Sequence, residues 1–301
     1  MSFIPDLVFA PLELSDREWM ESCLKAGHRG SLEYSFTSLF IWRNVYKIEV
    51  ARMGDYAIVL SNVEEPSYIF PLGSGPLPPV LDALFADAKK RGNPLRFNTL
   101  LEDDRARLEA LHPGVFDVDP IRHAFDYIYE AERLRTLSGK KLSSKRNQIN
   151  KFMMEHRDWS FEPITQENID EVHQMSRQWC EWAGCMDDPG LFDESCAVEE
   201  AFRNFFALRF DGGLLRAGGR VIAFSMGDAL NEDIYLQHIE KALDVPGAYQ
   251  VINQQFNEHF THGFRFVNRE DDTGDEGLRK AKLSYDPAYL VAKYRATQKL
   301  A

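Results

Sequence analysis

The sequence has 301 residues, 44% of them apolar and 27% charged, which is the composition of an ordinary globular protein of about two domains at ~150 residues each. This excludes wholesale disorder, collagen-like repetition and a disulfide scaffold. With 35 basic against 47 acidic residues, the net charge is −12, so nucleic acid or anionic membrane is expected to meet only a local patch.

The N-terminal segment Met1–Leu14 lacks a basic stretch followed by an apolar one, and no run approaches the ~20 apolar residues that cross a bilayer. These features predict a cytoplasmic protein without a transmembrane segment. The four cysteines, Cys23, Cys180, Cys185 and Cys196, form no C-x-x-C pair. We therefore expect reduced thiols and no metal site.

In the first half, hydrophobic periodicity predicts helices over 16–26, 35–42 and 78–90, and strands over 46–50, 56–60 and 68–72. Ser15 is the expected N-cap of the first helix, because Glu18 follows it at capping-box spacing. A compositional break then appears, since residues 133–151 hold seven basic side chains and no acidic one. This break predicts a domain boundary near Glu132, with domains 1–132 and 133–301.

The second half predicts a helix around 198–208, a hairpin of 214–217 with 220–226, a strand over 234–239, a helix over 247–261 and a strand over 264–267. Gly218 and Gly219 join the hairpin, because paired glycines accept the positive φ of a type I′ turn. This order of elements is typical of an acetyltransferase-like α/β unit, although several α+β folds share it.

The basic segment is the first candidate site. Helical spacing puts Lys141 and Lys145 on one side, next to Arg146, and such side chains bind phosphate. The alternative is a solvated helix face.

The turn that leads into the helix at Gly247, Ala248 and Tyr249 is the second candidate. A helix N-terminus offers free N–H groups to an anion or a developing oxyanion, and a glycine lets a ligand approach the backbone closely. The alternative is an ordinary helix start.

The charged segment 268–282 is the third candidate, because it begins at the carboxyl end of a predicted strand. Arg269, Glu270, Asp271 and Asp272 could hold an ammonium group beside a carboxylate base, with Lys280 nearby. The alternative is an exposed polar loop. The histidines, including His238 within a strand, are interpreted as structural.

With these residues assembled, the sequence resembles the C-terminal domain of bacterial phosphatidylglycerol lysyltransferases, in a free-standing branch without the membrane domain. The matching runs are Gly139-Lys140-Lys141-Leu142-Ser143-Ser144-Lys145-Arg146-Asn147, Gly247-Ala248-Tyr249-Gln250, Val267-Asn268-Arg269-Glu270-Asp271-Asp272 and Gly277-Leu278-Arg279-Lys280-Ala281-Lys282-Leu283-Ser284-Tyr285. The resemblance implies an α/β (α+β) fold of two tandem GNAT-like (acyl-CoA N-acyltransferase-like) domains, akin to the Fem peptidyltransferases, with the active site in the second.

Enzymes of this kind transfer an aminoacyl group from aminoacyl-tRNA to a lipid hydroxyl or a peptide amine. The resemblance implies that Lys145 and Arg146 meet phosphate and that the Arg269–Asp272 turn lines the transfer site. No cofactor is implied, and the acceptor is an anionic lipid or an amine. The usual GNAT pyrophosphate pattern is missing, since Asp244 and Tyr249 stand at its ends, so a CoA thioester is the second donor hypothesis. A non-catalytic binding module is the third reading.

Overall fold

A computed structural model describes residues 6–27, 30–63 and 65–300, so the first five residues of the segment 1–14 lie outside it. In the described part the helices are α1 (Arg17–Gly27), α2 (Phe36–Trp42), α3 (Pro78–Lys90), α4 (Glu102–Leu111), α5 (Ala131–Thr136), α6 (Ser143–Glu155), α7 (Ile169–Ala183), α8 (Pro189–Arg203), α9 (Phe205–Leu208), α10 (Ala248–Phe260) and α11 (Glu276–Leu283). The strands are β1 (Ala10–Pro11), β2 (Ile48–Met53), β3 (Tyr56–Ser61), β4 (Ser67–Ile69), β5 (Leu72–Gly73), β6 (Arg96–Leu101), β7 (Phe116–Pro120), β8 (Asp126–Glu130), β9 (Ser160–Pro163), β10 (Asp211–Ala217), β11 (Arg220–Ala229), β12 (Ile234–Ala242), β13 (Phe266–Asn268), β14 (Tyr289–Val291) and β15 (Lys293–Gln298).

The chain folds into two compact units. Unit 1 comprises residues 1–125 and 291–301, and unit 2 comprises residues 126–290. The boundary predicted at Glu132 from the change in charge differs from this division. Backbone pairing sets the division instead, because β8 pairs with β13 inside unit 2 while β15 pairs with β6 and β7 inside unit 1.

Unit 1 is built on one sheet, in the order β1-β2-β3-β4-β6-β15-β7, with β5 also paired to β3. Its core lies between the sheet and α3, whose apolar stripe buries Val80, Leu81 and Leu84 against sheet residues such as Phe97. Burying each such side chain stabilises the fold by about 1.5–3 kcal/mol. A buried ion pair between Lys293 of β15 and Glu33 (2.9 Å) also lies within this unit.

Unit 2 is built on a second sheet, in the order β14-β8-β13-β12-β11-β10-β9. The predicted β10–β11 hairpin is confirmed, with φ values of 59° at Gly218 and 72° at Gly219. Helix α10 packs its apolar face on the sheet, where Phe256 meets Tyr235 with ring centroids 6.0 Å apart. The mixed α/β class expected from the sequence is therefore confirmed.

Two local predictions are wrong. Ser15 does not cap the first helix, because the chain enters α1 through a 3₁₀ turn in which the Glu13 N–H donates to the Asp16 carboxylate (2.9 Å). The expectation that all thiols are reduced also fails, since Cys180 and Cys185 form a disulfide. The reversal at the end of α7, where Gly184 takes a φ of 74°, brings the two Cα atoms to 5.2 Å.

None of the helices formed by the described residues is both long and apolar enough to cross a bilayer.

Candidate functional site

The sheet of unit 2 opens between its two parallel strands. β12 and β13 pair only from Ile234 opposite Phe266 to Leu236 opposite Asn268. Beyond that point β12 continues to Ala242, while the chain after β13 turns away. Ligands of α/β sheets tend to bind outside the carboxyl ends of such diverging strands. The side chains that follow this point on both strands therefore define the candidate site.

A β-bulge directs the side chains of β12. The register against β11 shifts after Met226, so that Gly227 lies opposite Gln237 and His238 is the extra residue. As a result, Glu240 contacts Asn253 on α10, whereas the His238 ring packs against Phe210. Bulges are enriched beside active sites because they re-aim side chains in this way.

An ion pair between Glu240 and Arg269 bridges the opening on the α10 side. One Glu240 oxygen accepts from Arg269 Nη2 (2.9 Å), and the other accepts from Gln237 (2.7 Å) and Asn253 (2.8 Å). Burial opposes the charge on Arg269, yet Glu240 outweighs it and raises the pKa of the guanidinium. The Arg269 Nη1 atom is buried and has no hydrogen-bond partner among the described residues, so this guanidinium can still donate to a ligand.

Lys145 on α6 meets Arg269 over one aromatic ring. The Lys145 ammonium lies 4.5 Å from the Tyr285 ring centroid, and the Arg269 guanidinium carbon lies 5.0 Å from the same centroid. Burial, together with the charge of Arg269, lowers the pKa of Lys145. Within the described residues, no carboxylate is within 4.0 Å of Lys145 Nζ. We call Lys145, Arg269, Tyr285 and Glu240 the cationic cluster, because two cations lie near one aromatic ring and one of them pairs with a carboxylate that also contacts α10.

The other basic candidates do not join this cationic cluster. Arg146 donates to the carbonyl oxygens of Leu137 and Gly139, and so holds the loop before α6. Lys141 pairs with Asp286 (2.8 Å) and is largely exposed. Lys280 is exposed on α11. Among the basic residues predicted in the segment 141–146, Lys145 is therefore the one whose contact with Tyr285 is seen in the described part of the chain.

Gly247 has a packing role in addition to its place at the start of α10. Its φ is 89°, and a Cβ added there would lie 2.9 Å from the Gln148 carbonyl oxygen and 3.0 Å from Phe152 Cβ. The close approach at this glycine is thus made by α6 rather than by a ligand. Lys145 shares that face of α6 at helical spacing, so it lies beside the N-terminus of α10. Ala248 is fully buried, and Tyr249 is only partly exposed.

Asp272 holds the turn after β13. Its fully buried carboxylate accepts from Tyr127 Oη (2.7 Å), from Arg279 Nε (2.9 Å) and Nη2 (2.8 Å), and from the Gly274 N–H (3.0 Å). Burial opposes the charge, but these donors outweigh it and lower the pKa of Asp272 far below the usual range. A carboxylate engaged in this way is a poor base. The geometry therefore gives Asp272 a structural role.

Lys282 and Asp271 complete the turn. Lys282 Nζ donates to the carbonyl oxygens of Arg269 (2.7 Å) and Asp271, and burial lowers its pKa to about 8. Asp271 is half-buried and accepts from the Thr273 N–H (3.0 Å). The turn includes two non-glycine residues with positive φ, Glu270 (57°) and Thr273 (50°), so it depends on these side-chain bonds to keep its shape.

A second ion pair bridges the opening on the opposite face. The buried His238 ring lies between Glu270 (Nδ1, 2.9 Å) and Asp228 (Nε2, 3.0 Å). Burial disfavours the charged ring, but the two carboxylates outweigh burial and raise the pKa of His238 to about 9. The imidazolium therefore clamps Glu270, the residue next to Arg269, to β11 and β12.

This clamp predicts a specific pH dependence of stability. Because the pKa is raised in the folded state, the contribution of His238 is fully present below pH ~6.5 and is lost as the pH rises through about 9. Urea denaturation of the wild type and H238Q over this range measures it. The difference in the free energy of unfolding between the two proteins should shrink with rising pH. Lys282 also titrates in this range, but it does so in both proteins, so its effect cancels in the difference. A difference that is constant with pH would show that the ring is neutral.

Sequence reasoning missed three members of the site. Tyr285 lies within a matched run but has no predicted role, His238 is interpreted as structural, and Glu240 lies just beyond the predicted strand 234–239. The available signal was the run of ionisable residues His238, Glu240 and Lys241 at the end of a strand that begins with apolar residues. Buried charges are rare unless they are paired. Arg269 and Glu270, the partners of Glu240 and His238, are neighbours in the segment already singled out.

Comparison with known proteins identifies the relatives of this chain. The family model described as "Phosphatidylglycerol lysyltransferase, C-terminal" matches residues 25–297. A conserved protein of unknown function from Bacteroides thetaiotaomicron VPI-5482 is 35% identical, with a TM-score of 0.93 over 97% of this chain and 100% of that one. L-PGS from Bacillus licheniformis is 16% identical, with a TM-score of 0.67 over 100% of this chain and 95% of that one.

The same fold occurs in a tandem GNAT protein from the clavulanic acid biosynthesis pathway, which is 11% identical with a TM-score of 0.50 over 98% of this chain and 100% of that one. The predicted architecture of two tandem GNAT-like domains is thereby confirmed. An uncharacterized protein of Mycoplasmoides gallisepticum is 26% identical over 187 residues, which are 60% of this chain, and the match spans 58% of that relative's length.

Proposed function

The chain belongs to the phosphatidylglycerol lysyltransferase C-terminal family, and from this premise we propose that it transfers an aminoacyl group from aminoacyl-tRNA to a hydroxyl or amine acceptor. The family supports the broader assignment of an acyl- or aminoacyl-transferase-like protein. The finer assignment rests on one observation: Lys145 and Arg269 converge over Tyr285 with a buried Arg269 Nη1 that still lacks an acceptor.

In this proposal, each charged residue near the opening has a distinct task. Lys145 binds a phosphate at the 3′ end of the donor, since a partly buried ammonium without a carboxylate partner favours an anion. The N–H at Arg269 Nη1 donates to the carbonyl oxygen of the ester, where negative charge develops as the acceptor attacks, while Glu240 fixes the plane of the guanidinium. Asp271 orients or deprotonates the attacking hydroxyl or amine. The ester bond to the tRNA breaks as the new acyl bond forms, and the tRNA hydroxyl leaves with a proton.

A CoA thioester is the alternative donor, and the opening of the sheet argues against it. An extended ligand that added to the free edge of β12 beyond Leu236 would gain main-chain hydrogen bonds. It would also have to break the Glu240–Arg269 and His238–Glu270 ion pairs that bridge this opening. Separating a buried pair is costly because both charges lose their partner. We therefore favour aminoacyl-tRNA.

The test of the reaction is a transfer assay with two donors. Radiolabelled bulk aminoacyl-tRNA and a labelled acyl-CoA are each offered with phosphatidylglycerol vesicles or with an amine-bearing peptide. We expect label to leave the tRNA for one of the acceptors. Transfer from the CoA thioester alone would replace the proposed donor. Binding of tRNA without transfer to either acceptor would favour a non-catalytic binding module.

Lys145 gives a separate prediction for tRNA binding. Because each neutralised phosphate contributes a log–log salt slope of about −0.7 to −0.9, K145Q should reduce the slope of tRNA affinity by about one phosphate. The matched control is K151Q on the same helix, since Lys151 is exposed and lies 3.8 Å from Glu155. Fluorescence titrations over a range of salt concentrations measure both slopes. Equal slopes for K145Q and the wild type would remove Lys145 from the donor site.

A further inference from the structure

Large apolar side chains are exposed at the junction of α7 and α8. Trp182 in the last turn of α7 is 62% exposed, Met186 in the connecting turn is 80% exposed, and Phe192 in the first turn of α8 is 42% exposed. Scattered exposed apolar residues are normal, whereas exposed apolar residues that are grouped together mark an interaction site. These three lie within eleven residues, on both sides of one turn. Leaving them in water is unfavourable unless a partner covers them.

The same stretch is strongly acidic. Residues 178–202 contain seven acidic side chains and no lysine or arginine. Glu181, Asp187 and Asp193 are exposed, and each is the sequence neighbour of one of the three apolar residues. We call Glu181, Trp182, Met186, Asp187, Phe192 and Asp193 the acidic apolar surface.

Backbone hydrogen bonds hold this surface in one shape. The Cys185 N–H donates to the Cys180 carbonyl (3.1 Å), and the Asp187 N–H donates to the Gly184 carbonyl (2.9 Å). Asp188 caps α8 by accepting from the Leu191 N–H (3.0 Å). A preformed surface binds more tightly than a flexible one because less conformational entropy is lost.

The acidic apolar surface is connected to the end of β12 that carries Glu240. The ring centroid of Trp179, one helical turn before Trp182, lies 3.7 Å from the Lys241 ammonium nitrogen. Lys241 follows Glu240 in β12 and pairs with Glu194 (2.7 Å), two residues after Phe192. A ligand held on this surface would therefore lie at the end of β12 where the sheet opens.

We propose that the acidic apolar surface docks a basic polypeptide segment that carries apolar side chains. Its charge attracts lysine and arginine, and its three apolar groups require apolar partners, which a polypeptide with both residue types supplies. The same acidic residues repel phosphate, so tRNA and anionic lipid are the wrong partners for this face. The proposal goes beyond the proposed function, because docking here needs neither a donor nor transfer.

The experiment measures binding without any donor. The probe is a short fluorescein-labelled peptide of lysine and leucine, compared with a lysine–serine peptide of equal charge and a glutamate–leucine peptide. We expect the wild type to bind the lysine–leucine peptide most tightly. W182S/M186S and E181Q/D187N/D193N should each weaken that binding by about tenfold or more, since a few central residues carry most of the affinity of an interface.

A matched control removes three exposed carboxylates of unit 1 in D82N/D103N/D119N. This variant changes the net charge equally, so it should bind the lysine–leucine peptide like the wild type. Equal binding of the peptide by the wild type and both surface variants overturns the proposal. The proposal is also overturned if Trp182 and Met186 instead mediate binding to phosphatidylglycerol vesicles or self-association of the wild type in sedimentation. Because no transfer is measured, these outcomes are independent of the proposed reaction.

Discussion

Replacing Asp272 by alanine is expected to destabilise unit 2 by about 3 kcal/mol, because removing one partner of a buried ion pair leaves the other donors unpaired. Tyr127, Arg279 and the Gly274 N–H all lose their acceptor in this variant. Urea denaturation measures the loss. D272A as stable as the wild type would contradict the structural role.

The matched variant is D271N, which alters the neighbouring carboxylate that we propose as the base. D271N should keep the stability of the wild type and lose transfer activity, whereas the main effect of D272A should be a loss of stability. If D271N transfers at the wild-type rate, Asp271 is not the base.

Asp272 also accounts for part of the loss of folding stability that we expect at acidic pH. Because its pKa is lowered in the folded state, its contribution is present above the unfolded value of about 3.9 and is lost as the pH falls below it. D272A should therefore show a weaker loss of stability below pH ~4 than the wild type, as denaturation at several acidic pH values will measure.

Replacing Arg269 by lysine is expected to lower kcat by about 100- to 1,000-fold, the usual effect of removing one donor to a developing oxyanion. Lysine keeps the positive charge beside Glu240 but lacks the planar fork, so it cannot bind Glu240 and present a second N–H in a fixed direction. Transfer assays on R269K measure the effect, and R265K is the control, since Arg265 is an exposed neighbour. A fall in kcat with KM unchanged is the expected signature.

Thermal denaturation separates this effect from a loss of folding. R269K should melt within a few degrees of the wild type, because the Glu240 carboxylate keeps a cation. Wild-type kcat in R269K would show that Nη1 does not act on the substrate, even if the family assignment stands.

The sequence predicted the local elements well where periodicity was strong. Helix α3 matches its predicted range of 78–90, and paired glycines located the β10–β11 turn. Helix α4 was missed because its polar residues surround only a few apolar ones, so no stripe is visible. The strand β15 could not be assigned to unit 1 from sequence, because its partners on β6 and β7 lie far away in the chain.

The sequence predicted only part of the candidate site, because contacts between distant segments decide which residues meet. The segments of Lys145 and Arg269 were chosen correctly as charged clusters, but which member of each cluster meets the other depends on packing. Gln148 and Phe152 against Gly247 set the position of α6, and both cations then lie within 5.0 Å of the Tyr285 ring centroid. No periodicity distinguishes Asp271 from Asp272, yet burial and Arg279 separate them completely.

The placement of β15 between β6 and β7 has a consequence for the order in which the two sheets can form. The strands of the second sheet all end at or before Val291, so that sheet needs nothing from the chain that follows. The first sheet must wait, since β6 and β7 each lack a neighbour until residues 293–298 arrive. The half of the protein that is made first is thus the half that finishes folding last, and its exposed strand edges need protection in the interval.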